Sequence, residues 1–195
     1  MRIIGLTGGI GMGKSTAADV FRRARIPVFD ADAEVHRLQA RGGRAVAAIG
    51  AAFPGTVRDG AVDRTALRQV VFGNKTALSR LEHILHPMVE QAEQAFVGRA
   101  RRAGVPAVVL DIPLLLEIGA DRRVDQVLVV SAPRTIQVHR VRRRRRMSTA
   151  DVEAVIARQM PDAEKRRRAD VVIQTGLSRN HTLRALRRLI MELRA

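Results

Sequence analysis

Short apolar runs alternate with helical stretches along most of the chain. The apolar runs are typical of buried strands and lie at residues 2–6, 26–30, 105–111, 125–130 and 171–173. Helical patterns occupy most of the sequence between them, and a helix over 179–194 closes the chain. Strands that alternate with helices in this way predict an α/β fold, with a five-stranded parallel sheet flanked by helices.

The stretch between the second and third strands is mainly helical and predicts an inserted subdomain. Helical patterns continue to about residue 51, and 51–64 is a connector rich in turn residues. From Leu78 onward, apolar residues again recur at helical spacing. Pro87 is expected to break or kink this segment near His86, or to begin its second helix.

Composition narrows the classes of ligand. Arginine supplies almost all of the net charge of +16, because 32 of the 35 basic residues are arginine. Such a charge attracts anionic ligands such as polyphosphates, but an arginine bias alone is weak evidence for nucleic-acid binding. The five aromatic residues are all phenylalanine, so stacking platforms for single-stranded nucleic acid are hard to build.

The chain lacks the sequence signals of membrane and secreted proteins. It has no run of about 18 uncharged apolar residues. Its amino-terminal segment enters a strand pattern directly, without the basic region of a signal peptide. The absence of cysteine excludes disulfides and thiolate metal sites and is compatible with a reducing compartment. We therefore expect a cytoplasmic protein, whose oligomeric state the sequence leaves open.

The segment Gly8–Ser15, GGIGMGKS, matches the phosphate-loop pattern G-x-x-x-x-G-K-[ST] at every position. Its glycines let successive backbone N–H groups turn towards phosphate oxygens, and the helix that follows adds its own unpaired N–H groups. Lys14 would reach the β- and γ-phosphates of a nucleoside triphosphate, and the Ser15 hydroxyl would be a ligand of Mg²⁺. The residues expected to bind the nucleotide here are Gly9, Gly11, Met12, Gly13, Lys14, Ser15 and Thr16.

Other parts of the chain favour a kinase among the phosphate-loop proteins. A GTPase would carry an N-K-x-D motif, but the only NK pair lacks the aspartate and lies among helices. A motor or helicase would show an aspartate–glutamate pair after a hydrophobic strand, whereas Asp111 is followed by Ile112. A small-molecule kinase remains. In such a kinase, Asp111 either supports Mg²⁺ through water or has a purely structural role at the end of its strand.

Two carboxylates, Asp30 and Asp32, follow the second strand. The carboxyl ends of parallel strands face the ligand crevice of such a sheet. Asp32 would then lie beside the phosphate loop, where it would hold an acceptor hydroxyl and take its proton. For Asp30 the favoured interpretation is a helix N-cap, which is also the alternative for Asp32.

The segment 139–147, HRVRRRRRM, is the most basic part of the chain. Arg140 and Arg144 would share a helix face because they are four residues apart. A mobile lid bearing these arginines would close over the triphosphate, stabilise charge on the transferring group and exclude water. A solvent-exposed basic face is the interpretation for most of the other arginines in the run.

In their order along the chain, the motifs resemble those of the dephospho-CoA kinase family over nearly the whole length. The matching segments are IGLTGGIGMGKST, DAD at 30–32, RTALRQVVFGN at 64–74, LHPMV at 85–89, DIPLLLE at 111–117, VLVV at 127–130, QVHRVRRR at 137–144, ARQM at 157–160 and ADVVIQTG at 169–176. The phosphate loop is generic, whereas its combination with Thr7 and the DAD, HP and PLLxE segments is specific.

The resemblance implies a phosphotransferase that uses ATP and Mg²⁺ to phosphorylate the ribose 3′-hydroxyl of dephospho-CoA. The products would be CoA and ADP, in the final step of coenzyme A biosynthesis. It also implies a phosphate-loop NTPase fold in three parts. These are a core over about 1–32, 105–140 and 169–195, a helical substrate subdomain over about 33–104, and a helical lid over about 141–168.

The same resemblance implies roles for individual residues. Asp32 would be the general base, and Lys14 and Arg140 would complete the catalytic set, with Arg140 and Arg144 also contacting ATP. The residues implied on the substrate side are Thr7, Asp32, His86, Pro87, Leu114, Leu115 and Glu117. Met12 stands where the family usually has a small residue, and its side chain could crowd the phosphates.

Two alternatives remain open at this point. One is another nucleoside or nucleotide kinase with a different acceptor. The other, from a different class, is a nucleotide-dependent regulator that binds nucleic acid, which the charge of +16 motivates. No further nucleic-acid-binding module supports it, so ATP and dephospho-CoA are the expected partners.

Overall fold

The computed structural model describes residues 1–145, 148–157 and 159–194. These residues form two units, one made of Met1–Phe29 with Arg99–Ala195 and the other of Asp30–Gly98. The strands are β1 (Arg2–Thr7), β2 (Val28–Asp30), β3 (Val57–Arg58), β4 (Ala61–Val62), β5 (Ala107–Asp111), β6 (Gln126–Ser131) and β7 (Val171–Gln174). The helices are α1 (Lys14–Arg23), α2 (Ala31–Gln39), α3 (Val46–Ala52), α4 (Arg64–Val71), α5 (Lys75–Arg102), α6 (Arg134–Arg145), α7 (Thr149–Ala157), α8 (Asp162–Arg167) and α9 (Arg179–Arg194), with a 3-10 helix at Ala120–Arg123.

A parallel sheet is the framework of the first unit, with strand order β2-β5-β1-β6-β7. The central strand β1 pairs in parallel with β5 and β6, and β7 pairs in parallel with β6. All five residues of β5 are buried, because helices cover both faces of a sheet of this kind. The predicted α/β fold with a five-stranded parallel sheet is confirmed, and the predicted strand ends differ from the observed ones by only one or two residues.

Helices α1 and α9 bury their apolar stripes in the core of this unit, where α1 packs on β5 and α9 packs on β7. Phe21 of α1 is fully buried among residues of β1, β6 and α9. Leu186 and Ile190 of α9 lie in the same cluster, as the spacing in the closing helix predicted. Removal of a buried aromatic ring such as that of Phe21 costs about 3–5 kcal/mol, so this packing fixes the helix that follows the phosphate loop.

The second unit has a separate apolar core formed by its helices and a small hairpin. The buried members of this core are Leu38, Ala45, Ile49, Phe53, Val62, Leu67, Ala77, Leu81 and Leu85. The hairpin of β3 and β4 lies in the segment expected to be only a connector, so that expectation was incomplete. Its two turn residues, Asp59 and Gly60, have φ values of 50° and 75°, which is the backbone of a two-residue hairpin turn. The Asp-Gly pair was the signal in the sequence.

Pro87 neither breaks the helical segment nor begins a second helix, so these two alternatives were wrong, whereas a kink at this position stays a prediction. Helix α5 runs from Lys75 to Arg102 with Pro87 inside it. A proline inside a helix removes one hydrogen bond and costs about 3 kcal/mol. Leu81 and Leu85 before it, and Met88 and Val89 after it, pack against the same core, and this burial offsets the loss.

The basic segment and the stretch after it are helical, as predicted. Helix α6 contains the described part of the basic segment 139–147, and α7 and α8 lie in the stretch expected to form a helical lid. Arg146, Met147 and Arg158 lie outside the described residues. Movement of 141–168 as a lid stays a prediction. Within the described part of the chain, no helix is long and apolar enough to cross a membrane.

Candidate active site

The phosphate loop connects β1 to α1 and directs the first turn of that helix. Gly13 is the N-cap residue and has a left-handed φ of 94°. The first intrahelical bond joins the Ala17 N–H to the Gly13 carbonyl at 3.1 Å. The N–H groups of Lys14, Ser15 and Thr16 come before Ala17 in the chain, and the geometry of a helix start leaves them without an intrahelical acceptor. A helix start of this kind attracts anions such as phosphate.

Gly11 is required by the close packing of the loop against α6. Its φ is 76°, a conformation that residues with a Cβ rarely adopt. A Cβ atom at this position would also lie 2.7 Å from Val141 Cγ2 and 3.0 Å from the Gln137 carbonyl oxygen. Helix α6 therefore supports the phosphate loop from one side.

Lys14 and Asp111 form an ion pair beside the loop. The Lys14 Nζ atom lies 2.5 Å from Asp111 Oδ1. Asp111 is the last residue of β5 and is 3% exposed, so the pair is held at the carboxyl edge of the sheet next to β1. The predicted position of Asp111 near the phosphate site is therefore observed, whereas a role with metal stays a prediction.

The donors at this edge suit a hard cation. The Ser15 hydroxyl and the Asp111 carboxylate supply oxygen, which Mg²⁺ prefers. Within the described residues, no cluster of three or more His, Cys, Asp or Glu side chains could hold a metal ion. In phosphoryl-transfer sites, one or two protein oxygens bind Mg²⁺ together with the phosphates of the substrate.

The side chain of Met12 points into the core and is 2% exposed. Its sulfur accepts a hydrogen bond from the Ala132 N–H at 3.1 Å. Its own N–H donates to the Gly9 carbonyl at 3.1 Å and closes a turn of the loop. The side chain of Met12 fills space between the loop and β6, so the expected crowding of the phosphates by this side chain does not arise.

Arg140 is bound to the phosphate loop and to the end of β7. Its guanidinium donates to the Thr175 hydroxyl at 3.0 Å, to the Thr175 carbonyl at 2.7 Å and to the Gly11 carbonyl at 3.4 Å. The Thr175 hydroxyl in turn donates to the Met12 carbonyl at 2.6 Å. A permanent positive charge therefore lies against the loop. The side chain of Arg144 lies outside the described part of the structure.

The loop that follows β5 carries the predicted substrate-side residues of the first unit. The Thr7 hydroxyl donates to the Pro113 carbonyl at 2.9 Å. Leu114 is 44% exposed, whereas Leu115 is fully buried and packs against β1 at Gly5. The Leu115 N–H donates to the Ile112 carbonyl at 3.3 Å, and its carbonyl accepts from the Ala120 N–H at 2.9 Å, so Leu115 supports the loop from the core and has no exposed surface.

Glu117, at the end of this loop, binds the segment before and within α8. Its carboxylate lies 2.7 Å from the ammonium of Lys165, which is fully buried. It also accepts a hydrogen bond from the Met160 N–H at 3.2 Å. Lys165 donates to the Pro113 carbonyl as well, at 3.4 Å. These bonds fix the loop after β5 against the segment 160–165.

The remaining predicted residues belong to the second unit. Asp30 is the N-cap of α2, and its carboxylate accepts the Ala33 N–H at 2.9 Å, so the favoured interpretation is confirmed. Asp32 lies exposed in the first turn of the same helix. His86 and Pro87 are exposed on α5. Their roles towards a substrate stay predictions.

A cavity of about 580 Å³ opens beside the start of the phosphate loop. Gly9 and Met12 line it on the loop side, and Gln137 and Gln159 line it from α6 and the segment after α7. Arg134 and Arg166 also contribute to its wall. The wall therefore combines neutral amides and two cations with the carboxylate of Asp162, and its cations would attract a polyphosphate ligand.

A family model described as dephospho-CoA kinase (CoaE) matches residues 2–180. The chain belongs to the dephospho-CoA kinase family. A dephospho-CoA kinase of Gluconobacter oxydans is 52% identical over 198 residues, which cover 100% of this chain and 98% of that protein. One of Paramagnetospirillum magneticum is 60% identical over 166 residues, which cover 85% of this chain and 78% of that protein.

Solved structures give the same result for the fold of this dephospho-CoA kinase family member. The crystal structure of a protein from Thermus thermophilus is 38% identical, with a TM-score of 0.86 over 98% of this chain and 97% of that one. The family expected from the ordered motifs is therefore confirmed, and the expectation that the protein is a kinase is confirmed with it.

Sequence reasoning missed several residues that hold the site together. Thr175 binds the main chain of the phosphate loop, and Lys165 is the buried partner of Glu117. Gln137 and Gln159 contact the loop at Ile10. All but Lys165 lie inside segments that carried the family resemblance. Thr175 also follows the carboxyl end of a strand, the position that the rule for parallel sheets singles out.

Proposed function

We propose that the protein transfers the γ-phosphoryl group of ATP to the ribose 3′-hydroxyl of dephospho-CoA, with CoA and ADP as products. The reaction is that of a phosphotransferase with an alcohol as acceptor. The observation that carries the proposal is the family match over residues 2–180, which includes a complete phosphate loop. A cytoplasmic location stays a prediction.

The triphosphate is proposed to bind at the phosphate loop. The N–H groups at the start of α1 would contact its oxygens, and Lys14 would lie against the β- and γ-phosphates. Arg140 supports this assignment, because its guanidinium is fixed beside the loop by three hydrogen bonds. A fixed cation stabilises charge on the transferring group without reorganisation during the reaction. Arg144 is proposed to assist from the same helix.

Mg²⁺ is proposed to bind at the Ser15 hydroxyl, with the Asp111 carboxylate supporting it through water. The Lys14–Asp111 ion pair of 2.5 Å supports this position, because it holds the carboxylate next to the phosphate loop. When bound, the ion would neutralise charge on the β- and γ-phosphate oxygens. Ser15 and Asp111 would orient it, and Lys14 would be free to turn to the phosphates.

Asp32 is proposed as the general base. Its carboxylate accepts the proton of the 3′-hydroxyl while the 3′-oxygen forms a bond to the γ-phosphorus. The bond between the γ-phosphorus and the β–γ bridging oxygen breaks, and ADP leaves. The exposure of Asp32 in the first turn of α2 supports the assignment, because its carboxylate is accessible to a ligand.

In the first unit, the acceptor is proposed to contact Thr7, Leu114 and Glu117. Thr7 and Glu117 are fixed by hydrogen bonds to neighbouring main chain, so they form a rigid side of the site. Leu114 offers an exposed apolar surface to the acceptor, and the buried Leu115 anchors the same loop against β1. His86 and Pro87 of α5 are proposed to complete the substrate side.

A coupled ADP-release assay tests the proposed function. With ATP and Mg²⁺ we expect rapid turnover with dephospho-CoA and only background rates with adenosine, AMP or shikimate. Replacement of the proposed base in Asp32→Asn should lower kcat by about 10²- to 10⁴-fold, the usual contribution of a general base. The KM for ATP should change little.

Asp59→Asn is the matched control for this variant, because Asp59 lies exposed in the hairpin turn of the same unit. Absence of dephospho-CoA-dependent turnover in the wild type would refute the proposed function. A near-normal kcat of Asp32→Asn, with an active wild type, would refute only the assignment of the base.

A further inference from the structure

Two glutamine side chains hold one residue of the phosphate loop by both of its backbone groups. The Ile10 N–H donates to Gln159 Oε1 at 2.9 Å. The Ile10 carbonyl accepts from Gln137 Nε2, also at 2.9 Å. Both distances are those of good hydrogen bonds. A glutamine amide carries one acceptor and one donor group, so the two side chains together match the donor and the acceptor of Ile10.

Each glutamine is itself fixed by its surroundings. Gln137 is 2% exposed on α6, and its Oε1 atom accepts a hydrogen bond from Arg134 at 3.3 Å. Gln159 is followed by Met160, whose N–H is bound by Glu117. Since Glu117 pairs with the buried Lys165, the segment that carries Gln159 is anchored on its other side.

The absence of charge on these side chains matters at this position. A carboxylate in place of Gln159 would keep the acceptor for the Ile10 N–H. It would also place a negative charge against the loop, where it would repel a triphosphate. A carboxylate in place of Gln137 would face the Ile10 carbonyl without a hydrogen to donate. A pair of neutral amides therefore orients the loop without adding negative charge beside the phosphates.

We infer that Gln137 and Gln159 are positioning residues for ATP. They fix the orientation of Ile10 and thereby hold the loop in the conformation that presents the N–H groups of Lys14, Ser15 and Thr16 to the phosphates. Through Gln159, the conformation of the phosphate loop also depends on the segment after α7. Glu117 binds this segment and connects it to the loop that follows β5. The inference rests on the proposed binding of ATP at this loop.

Isothermal titration of Mg²⁺-ATP without acceptor tests the inference directly. Gln159→Met and Gln137→Met keep the approximate length of the side chain and remove its hydrogen bond. Each should raise the Kd for ATP about fivefold, the order expected for one neutral hydrogen bond. Gln159→Glu should raise it further, about tenfold or more, because it adds charge repulsion. In turnover, the KM for ATP should rise by the same factor while the KM for dephospho-CoA stays within about twofold.

Gln94→Met is the control, since Gln94 lies exposed on α5. The inference would be overturned if both Gln159 variants bound ATP with wild-type affinity. It would also be overturned if the KM values for ATP and for dephospho-CoA rose in parallel while the Tm fell. If Gln159→Met does not fold, Gln159→Glu decides, since it keeps the size of the side chain. A wild type that binds ATP but does not phosphorylate dephospho-CoA would refute the proposed function alone. A wild type that does not bind ATP would overturn the inference as well.

Discussion

Individual residues of the phosphate site differ in how far the sequence reveals them. Lys14 and Ser15 follow from the spacing of the loop, because that spacing is itself the chemistry of phosphate binding. For Met12, by contrast, the motif does not reveal what the side chain contacts. Its position in the motif suggested contact with phosphate, and its side chain instead fills the core and binds the Ala132 N–H. Which way a side chain points from an irregular loop depends on the strand beside it, and a local pattern does not contain that information.

The buried position of Met12 leads to a prediction on stability. Met12→Ala should lower the free energy of unfolding by about 2–5 kcal/mol, since it leaves a cavity next to β6. Met12→Leu conserves volume and should cost less, although it removes the acceptor of the Ala132 N–H. Urea unfolding of the three proteins measures both differences. A Met12→Ala variant as stable as the wild type would show that the residue is not part of the core.

Thr175, Lys165 and Gln159 show why other site residues escape a sequence pattern. The Thr175 hydroxyl binds Met12, which lies 163 positions earlier, and Gln159 binds Ile10, which lies 149 positions earlier. Each is a polar residue of an ordinary type in a helix end or strand end. Its role exists only once the sheet brings β7 and the segment after α7 to the phosphate loop.

At the scale of elements, the apolar patterns predicted the sheet and most helices well. The strands of a parallel sheet are buried on both faces, so they stand out as continuous apolar runs. The error at Pro87 arose because a local rule was applied without the packing that overrides it, since the apolar stripe of α5 continues on both sides of the proline. The missed hairpin contains only two residues in each strand, too few for an alternating pattern to appear.

Helix α4 supplies a prediction on pH. Asp63 caps this helix, and its carboxylate accepts the Thr65 and Ala66 N–H groups at 3.0 Å. The bond from Ala66 has the largest effect and lowers the pKa of Asp63 below its usual value. Burial, the next largest effect, raises this pKa, and the bond from Thr65 and the charge of Arg58 lower it further. Because the folded pKa lies below the unfolded one, the stabilisation is complete above the unfolded pKa of about 3.9 and is lost as the pH falls through the folded pKa.

Asp63→Ala should therefore have a lower Tm than the wild type near neutral pH, and the difference should shrink below about pH 4. Asp63→Asn keeps an acceptor for the two N–H groups without the charge, so it should lose less than the alanine variant. Thermal unfolding of the three proteins across this range measures both effects. A Tm difference between Asp63→Ala and the wild type that does not depend on pH would contradict the charge-based account of this cap.

At the scale of the whole molecule, the ordered motifs predicted the family and the sheet, both of which are confirmed. They did not determine which residues brace the phosphate loop, because the brace is assembled from three distant segments. Gly11, Arg140 and Thr175 lie in one such contact, and Ile10 with its two glutamines lies in another. The charge of +16 is consistent with polyanionic substrates such as ATP and dephospho-CoA, and it requires no nucleic-acid partner.

The most direct test of the central claim is identification of the product by ³¹P nuclear magnetic resonance. Wild-type protein with ATP, Mg²⁺ and dephospho-CoA should produce ADP and one new phosphomonoester signal, that of the ribose 3′-phosphate of CoA, in equal amounts. Lys14→Ala should form little of either, because it loses stabilisation of the transferring phosphoryl group. ADP and inorganic phosphate without the new phosphomonoester, or a phosphate at another position of dephospho-CoA, would contradict the account.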